Sequence, residues 1–550
     1  MTEADVVDIA RRIHTRDVSL WPAAPEEQPI IGKRLGWLDA PDWLKKNREE
    51  LTTWARDIYG QEFARVVVLG MGGSSLAART LAGVFGKTEQ GLPLVVLDTT
   101  HPEAIAVTAA AASLSETLFV SASKSGTTAE VTALTAYFYQ QVKAERGRAA
   151  GENFVAITDA GSALQHYAEA HDFRRCFLNP ADVGGRFSML TAFGMVPAAL
   201  LGLDLDRMFN SARAARVASE ADTPDADQSA LRLGQAMARS ALAGRNKLTL
   251  LLSPQLGAFS AWVEQLIAES TGKSGIGIIP VIDESLPIGA YGMDRFFVAV
   301  TLTGDHTLDE TLQALEAAGH EIDHHQLDDR YDLAGEFFRW EFAVAVAGAL
   351  LAVNPFDEPD VVSSKQTTRR LLEGKKEEQA NSIGEIRDDA GLTLRMPISL
   401  VDEDVGLSGQ LLRFFQNASP TNYLTLMPFL YMTDDVQNAL SELITALRAV
   451  LPLPVILNPG PRYLHSTGQL HKGGPNTGLY LIITASTDTV LAIPGEPYSF
   501  SDLNNAQACG DFSSLVALGR QVAHLDLGSS PQQALAAVVA EVRLRWTETV

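Results

Sequence analysis

The chain has 550 residues, 46% of them hydrophobic, which is enough for two or three domains with large cores and argues against a disordered chain. Its formal net charge of −23 argues against a general nucleic-acid binder or a protein of anionic membrane surfaces, so any anion site must be built locally against that field. The two cysteines, Cys176 and Cys509, stand far apart and make no disulfide framework, which fits a reducing compartment. The opening stretch MTEADVVDIARRIHTRD has no apolar signal core, and no apolar run is long enough to span a bilayer. The expectation is a soluble cytoplasmic protein with no nucleic-acid or membrane partner.

Residues 1–40 are mixed and polar. Pro22, Pro25 and Pro29 in WPAAPEEQPI predict an extended linker or arm. A helix is predicted from Trp43 to Tyr59. RVVVLGMGG, Arg65 to Gly73, is a buried parallel-type strand ending in a Gly-rich turn, and Ser74 to Phe85 continues as a helix. LPLVVLD (92–98) is the next strand, followed by an Ala-rich helix over 103–113 and a strand over 117–121. A helix then runs to about Ala144, and FVAITD (154–159) is a further strand. This alternation predicts a parallel, doubly wound sheet with sites at the carboxyl ends of its strands.

An acidic, polar, helical stretch over 206–240 reads as a connector. A second alternation starts at KLTLLLS (247–253). It continues through a helix ending near Glu269, the turn STGKSGIG, and the strands IGIIPVI and RFFVAVTL (295–302). A helix over 307–318 and a strand over 321–327 follow. Phe337 to Val353 is a strongly apolar helix stopped by Asn354-Pro355, and Lys365 to Ala380 is a charged helix. In the last third, 421–431 and 478–485 are strand candidates. Asp434 to Leu451 and Gln532 to Trp546 are helices. NPGPRYLHSTGQLHKGGPNTG is a long polar Gly/Pro loop, a length that points to function or disorder. No internal repeat is visible beyond the two alternating halves.

The stretch FVSASKSGTTAE, Phe119 to Glu130, passes from an apolar strand into small hydroxyl residues, Lys124 and Gly126, and then a helix start. A helix N-terminus leaves N–H groups unpaired and carries positive dipole. Ser123, Ser125, Thr127 and Thr128 add hydroxyl donors and Lys124 a charge, so the stretch suits a phosphate better than a simple Ser/Thr N-cap. GMGGSS, Gly70 to Ser75, with Asp98 closing the next strand, imitates a dinucleotide fingerprint. Ser75 stands where the third glycine belongs, and two small-residue loops at neighbouring strand ends suit a phosphosugar better. HEIDH, His320 to His324, matches H-E-x-x-H, but that pattern binds zinc only on a helix, and HEIDHHQL reads as a strand or turn. Arg186 in VGGRFS, Glu269 in AESTGKSG, Lys365 after VNPFDEPDVVSS and His465 in LHSTGQ would each, taken singly, be structural.

Together these stretches resemble the phosphoglucose isomerase family, built from two sugar-isomerase (SIS) domains. SKSGTTAE resembles its phosphate loop and VLGMGGSSL its first Gly-rich loop. VGGRFSMLTAFG, ESTGKSG and VNPFDEPDVVSSK resemble three further signatures in the family's order. RLGWLDAP, ESTGKSGIGIIPV and PRYLHSTGQLHKGGPNTG are similar to the isomerase half of bifunctional transaldolase–isomerase proteins. The fold implied is α/β, with two doubly wound, flavodoxin-like SIS domains and a C-terminal α/β extension. The division expected is an arm at 1–40, a first SIS domain at 41–205, a helical connector at 206–240, a second SIS domain at 241–380, and a C-terminal region at 381–550 carrying the HSTGQ loop.

By that resemblance, Glu269 is the base that shuttles a proton between C2 and C1 through a cis-enediol. Arg186 stabilises the enediolate, and His465 and Lys365 open the sugar ring. Ser123, Lys124, Ser125, Thr127 and Thr128, with Gly73 and Ser74, hold the phosphate or the sugar beside it. No cofactor or metal is implied, and the partner expected is a second copy of the chain. The chain also departs from the pattern. No His lies between Lys273 and Met293, which leaves His465 and His471 as alternatives, and Glu358 stands where the family has Gln. The reading is an isomerase of glucose 6-phosphate and fructose 6-phosphate. A related sugar anion such as mannose 6-phosphate or a sulfosugar, a non-catalytic sugar-phosphate sensor, and a dinucleotide oxidoreductase are the alternatives.

Overall fold

The computed structural model describes residues 3–221, 223, 228–374, 382–389, 391–402 and 404–547. The chain divides into two compact units. Unit 1 comprises Met1–Asp98, Thr108–Ile288 and Met293–Glu358, and unit 2 comprises Thr99–Val107, Gly289–Gly292 and Pro359–Val550.

Unit 1 holds two parallel sheets. The first contains β1 (Arg65–Gly70), β2 (Leu94–Leu97), β3 (Thr117–Ala122), β4 (Phe154–Asp159) and β5 (Arg175–Asn179), in the order β2-β1-β3-β4-β5. Every residue of β1 and β3 is buried, which is why both are mostly apolar and do not alternate. The second contains β6 (Lys247–Leu252), β7 (Ile279–Val281), β8 (Arg295–Leu302) and β9 (Ile322–Leu327), in the order β7-β6-β8-β9. The order reverses between β1 and β3, so the loops after those two strands flank a topological switch point, where such sheets take ligands. These are the two small-residue loops of the sequence, at Gly72–Ser75 and Ser123–Thr128.

One core serves both sheets. Its centre is the helix Leu333–Leu350, buried from Leu333 through Gly348 and packed against the helices Leu205–Ala218, Ser229–Leu242 and Ser260–Thr271. The sequence reads 206–240 as a connector. Instead two amphipathic helices there bury Leu205, Met208, Phe209, Leu231, Leu233 and Met237 in this core.

The N-terminal stretch likewise is no extended arm. Glu3–His14 is a helix, Gln28–Gly32 is a short helix with Pro29 in its first turn, and Ile9, Ile13, Trp21, Ile31 and Trp37 are buried. The Trp21 indole donates to the Ala345 carbonyl at 2.9 Å. HEIDH runs from a turn into β9 and not along a helix. Glu321 pairs with Arg239 and Arg245, and His324 Nε2 lies 2.8 Å from Thr301 Oγ1.

Unit 2 holds a third doubly wound sheet with its own core. Its strands are β10 (Ile383–Arg387), β11 (Thr393–Pro397), β12 (Tyr423–Pro428), β13 (Val455–Leu457), β14 (Gly478–Thr484) and β15 (Gln521–Asp526), in the order β10-β11-β15-β14-β12-β13. β13, β12, β14 and β15 are parallel and repeat the strand order of the second sheet, while the hairpin β10–β11 joins β15 antiparallel. The segment Thr99–Val107 belongs to this unit: Thr100 Oγ1 lies 2.8 Å from Gln507 Oε1 and 3.1 Å from Asn504 Oδ1. The expected loop at 458–478 is instead a turn, Arg462–His465, and a helix, Gly468–Gly473, folded around buried Tyr463 and Leu470. The charged helix spans Val362–Leu372, and 375–380 of the expected helix lie outside the described residues. Among the described residues no helix is long and apolar enough to cross a membrane.

Glu336, on the central helix, is buried yet charged. Trp340 Nε1 donates to it at 3.0 Å and Arg339 Nη1 at 3.3 Å, with His325 alongside and Arg339 Nη2 also reaching Asp323 at 2.7 Å. Burial alone would raise this carboxyl, but Arg339 and His325 outweigh it and hold it at about 2. A depressed carboxyl stabilises the fold above its ordinary pKa, and that stability is lost as pH falls towards the folded value. Glu336→Gln leaves buried Arg339 with Asp323 as its remaining carboxylate partner and takes the countercharge from His325, and is expected to cost about 3 kcal/mol at pH 7. The gap between variant and parent should shrink between pH 5 and pH 3 in denaturant titrations. A constant gap would show that the charge contributes nothing.

Candidate active site

The first Gly-rich loop turns at Gly72, φ 51°, into the helix Gly73–Phe85. Its backbone lies against the VGGRFS stretch. A Cβ on Gly73 would stand 2.4 Å from the Gly185 carbonyl and 2.8 Å from the Arg186 nitrogen. The hydroxyl loop leads from β3 into the 18-residue helix Ala129–Arg146. Gly126 has φ +69°, and a Cβ there would meet the Leu164 nitrogen at 2.4 Å, so the loop needs glycine on both counts.

The hydroxyls of this loop pair among themselves. Ser123 Oγ lies 3.0 Å from Thr128 Oγ1, and Ser125 Oγ lies 2.9 Å from Thr127 Oγ1. Ser123 also accepts from the Gly126 N–H at 3.1 Å and Ser125 from the Thr127 N–H at 3.2 Å. Thr128 is the N-cap residue but makes no side-chain cap bond. The hydroxyls therefore form a pre-shaped loop at a helix N-terminus, suited to an anion. Lys124 departs from the expected role: its ammonium pairs with Asp159, at the end of β4, and donates to the Ala181 carbonyl at 3.0 Å. Burial raises the Asp159 carboxyl, with Lys124 opposing. The charge expected to face a phosphate is therefore already shared.

Arg186 sits in a single tight turn, Gly185–Phe187, and is 4% exposed. A guanidinium carries five N–H donors. Nε donates to Ser270 Oγ at 2.8 Å. Nη2 donates to the Pro355 and Asp357 carbonyls at 2.7 and 2.9 Å. Nη1 lies 3.1 Å from Glu358 Oε2 and 3.3 Å from Glu269 Oε1. Its charge can act on a neighbouring anion, but its donors are already engaged by the protein.

Glu269 lies in the last turn of Ser260–Thr271 and keeps 13% of its side chain accessible. Gln265, one turn earlier, donates to its Oε2 at 2.9 Å. Thr271 pins the chain leaving this helix, donating to the Ile267 carbonyl and accepting from the Ile278 N–H. Burial raises the Glu269 carboxyl above its ordinary value, with Arg186 opposing and Glu358 adding to the rise. Lys273, also buried, pairs with Asp357 Oδ1 at 3.0 Å and not directly with Glu269. Burial and then Arg186 bring its ammonium down to about 8.

In unit 2, Lys365 is an exposed residue of the helix Val362–Leu372, and His465 ends the turn Arg462–His465. Beside each is a residue bound to one buried carboxylate, Asp511. Ser364 Oγ lies 3.0 Å and Lys472 Nζ 2.6 Å from its Oδ1, and the Tyr463 hydroxyl lies 2.8 Å from its Oδ2. His471, the alternative to His465, is only 1% exposed. It packs beside the rings of Tyr463 and Tyr480, and burial, Lys472 and Arg520 hold it far below the usual imidazole range. It is a neutral core residue, unsuited to exchanging protons with a ligand.

Unit 1 thus brings Arg186 to Glu269 and sets Gly73 against Arg186. Sequence reasoning missed Gln265, Asp357 and Asp511. The spacing of Gln265, four residues before Glu269, could have revealed it. The pairing of Asp511 is long-range and left no local signal.

A family model described as phosphoglucose isomerase matches residues 42–278. The glucose-6-phosphate isomerase of Symbiobacterium thermophilum is 30% identical over 393 residues, covering 61% of this chain and 86% of that protein. A probable glucose-6-phosphate isomerase of Natronomonas pharaonis is 30% identical over 359 residues, covering 58% and 82%. A crystal structure of a hypothetical protein from Thermus thermophilus superposes with a TM-score of 0.59 at 25% identity, covering 67% of this chain and 94% of that one.

Gly73→Ala places a methyl group 2.4 Å from the Gly185 carbonyl, so backbone must move. The expected cost is about 1–3 kcal/mol, read as a lower thermal midpoint. An unchanged midpoint would mean that the loop gives way freely.

Proposed function

The chain belongs to the phosphoglucose isomerase family, and we propose that it interconverts glucose 6-phosphate and fructose 6-phosphate through a cis-enediol(ate). The observation that carries this reading is Glu269, a largely buried carboxylate held above its ordinary pKa, 3.3 Å from the fixed cation Arg186. A base of raised pKa beside a positive charge suits removal of a proton next to a carbonyl.

In the proposed reaction, the Glu269 carboxylate takes the proton from C2 of the open-chain aldose as the C1 carbonyl electrons move onto O1. A proton passes from the O2 hydroxyl to O1 in the enediol(ate), and Glu269 returns its proton to C1, leaving the carbonyl at C2. Arg186 stabilises the charge on the enediolate through its field. The hydroxyl groups of Ser123, Ser125, Thr127 and Thr128, with the helix N-terminus behind them and Gly73 and Ser74 at the Gly-rich turn, hold the phosphate end. Lys124 then contributes chiefly by tying the loop to Asp159. Ring opening, a proton transfer between O5 and O1, is assigned by family resemblance to His465 and Lys365. The exposure of Lys365 and the position of His465 at a turn support that assignment over His471. A cytoplasmic homodimer is the finer expectation.

Glu358, a carboxylate where the family has Gln, favours one second reading: an isomerase of a related sugar anion such as mannose 6-phosphate or a sulfosugar. A coupled assay with fructose 6-phosphate and these alternatives, run in EDTA, separates the two, and no turnover of any of them would sink the isomerase reading.

Glu269→Gln keeps shape and loses proton acceptance. Its kcat should fall at least about a hundredfold while substrate still binds, and solvent exchange of the C2 proton should vanish with it. Near-normal turnover would remove Glu269 as the base. Thr128→Ala should mainly raise KM, because contacts to a non-reacting phosphate act equally in ground and transition states. A fall in kcat at unchanged KM would place this loop at the reacting carbons instead.

A further inference from the structure

We propose that Glu358 is a positioning residue for the base: by holding part of the Arg186 guanidinium, it keeps that cation from pairing fully with Glu269. The proposal rests on the isomerase reading, in which Glu269 is the base.

The geometry is that of a clamp. The tetrapeptide Pro355–Glu358 wraps one edge of the guanidinium with two carbonyls and a carboxylate, and Ser270 holds Nε from the other side. With Nε and Nη2 fixed, only Nη1 reaches Glu269, and that same atom serves Glu358 at 3.1 Å. Glu269 therefore receives a single shared contact of 3.3 Å and not the two-pronged pairing that makes arginine–carboxylate bonds strong. A carboxylate bound by both prongs would be a stabilised anion and a weak base.

The charges around the pair are unequal. Glu358 faces Arg186, Arg34 and Lys273, while Glu269 faces Arg186, Gln265, Lys273 and the negative Glu358 itself. Lys273 is committed to Asp357. Glu358 also sits nearer solvent, with 35% of its side chain exposed against 13% for Glu269. Burial works against ionisation at both. At Glu358 it is outweighed by Arg186 and Arg34, and the carboxyl is held below its ordinary range, while Glu269 is raised. As pH falls, Glu269 takes up the proton first and Glu358 remains charged. Two like groups are thus pushed apart in proton affinity, one kept as a standing charge and the other left to exchange protons.

The test is the pH dependence of kcat/KM for fructose 6-phosphate in the parent and in Glu358→Gln. The acid limb of that profile reports the base in the free enzyme. Ionisation of the substrate phosphate affects both proteins alike, so the difference between them reads the protein. Removing the Glu358 charge lowers the proton affinity of Glu269. The acid limb should move to lower pH by about 0.5–1.5 units, with activity on the alkaline side reduced as the base weakens. A limb that stays in place, or moves to higher pH, overturns the proposal even if activity falls. Glu358→Ser, which removes the charge without leaving an amide to bind Arg186, should shift the limb in the same direction. It also serves if the glutamine variant fails to fold. An inactive parent protein would instead refute the isomerase reading, whereas an active parent with an unmoved limb refutes this inference alone.

Discussion

Arg186 gathers distant parts of unit 1 around one buried charge. Its partners come from the end of one helix, Glu269 and Ser270, and from the segment Pro355–Glu358 that follows the central helix. Taking a guanidinium out of water costs several kcal/mol unless every donor is met and the charge balanced. Here the donors are met by a hydroxyl, two carbonyls and two carboxylates. The tight turn that carries Arg186 is in turn pressed by Gly73, so the Gly-rich loop and the charged cluster are set by the same backbone contact.

Two carboxylates on one guanidinium create a local excess of negative charge that the hydroxyl loop does not share. That loop is nearly neutral once Lys124 is paired with Asp159. In a chain of net charge −23, an anion must be met by dipoles and hydroxyls at close range more than by long-range attraction. The self-paired hydroxyls of Ser123 with Thr128 and Ser125 with Thr127 suit that requirement, because they are in place before a ligand arrives.

Much of this was legible in the sequence. The strands β1, β3 and β8 are buried along their whole length because both faces are covered, so their sequences are mostly apolar runs without alternation, bounded by turn residues that mark them. The Gly-rich and hydroxyl loops were legible because a switch-point site demands small residues and donors in a fixed order along the chain. The N-terminal arm was misread because prolines dominate its local signal, whereas the Trp21–Ala345 bond that anchors it joins residues 324 positions apart. Residues 381–460 resembled nothing by motif, yet they belong to a sheet that repeats the strand order of the second sheet. Strand order is fixed by pairing at a distance and leaves no short signature. The engaged donors of Arg186 and the pairing of Lys124 belong to the same class, since residue type shows which group is charged and only packing shows where its charge goes.

Unit 2 is not one continuous stretch of chain. It includes Thr99–Val107, which leaves the ribosome some four hundred residues before Asn504 and Gln507, the partners of Thr100. That nine-residue piece lies in the crossover between β2 and β3. During synthesis the first sheet can close while its own crossover waits for residues not yet made. The C-terminal 192 residues, expressed from Pro359 onward, would lack the Thr100 partner of Asn504 and Gln507. The order in which the chain is made and the order in which it can finish folding are therefore different.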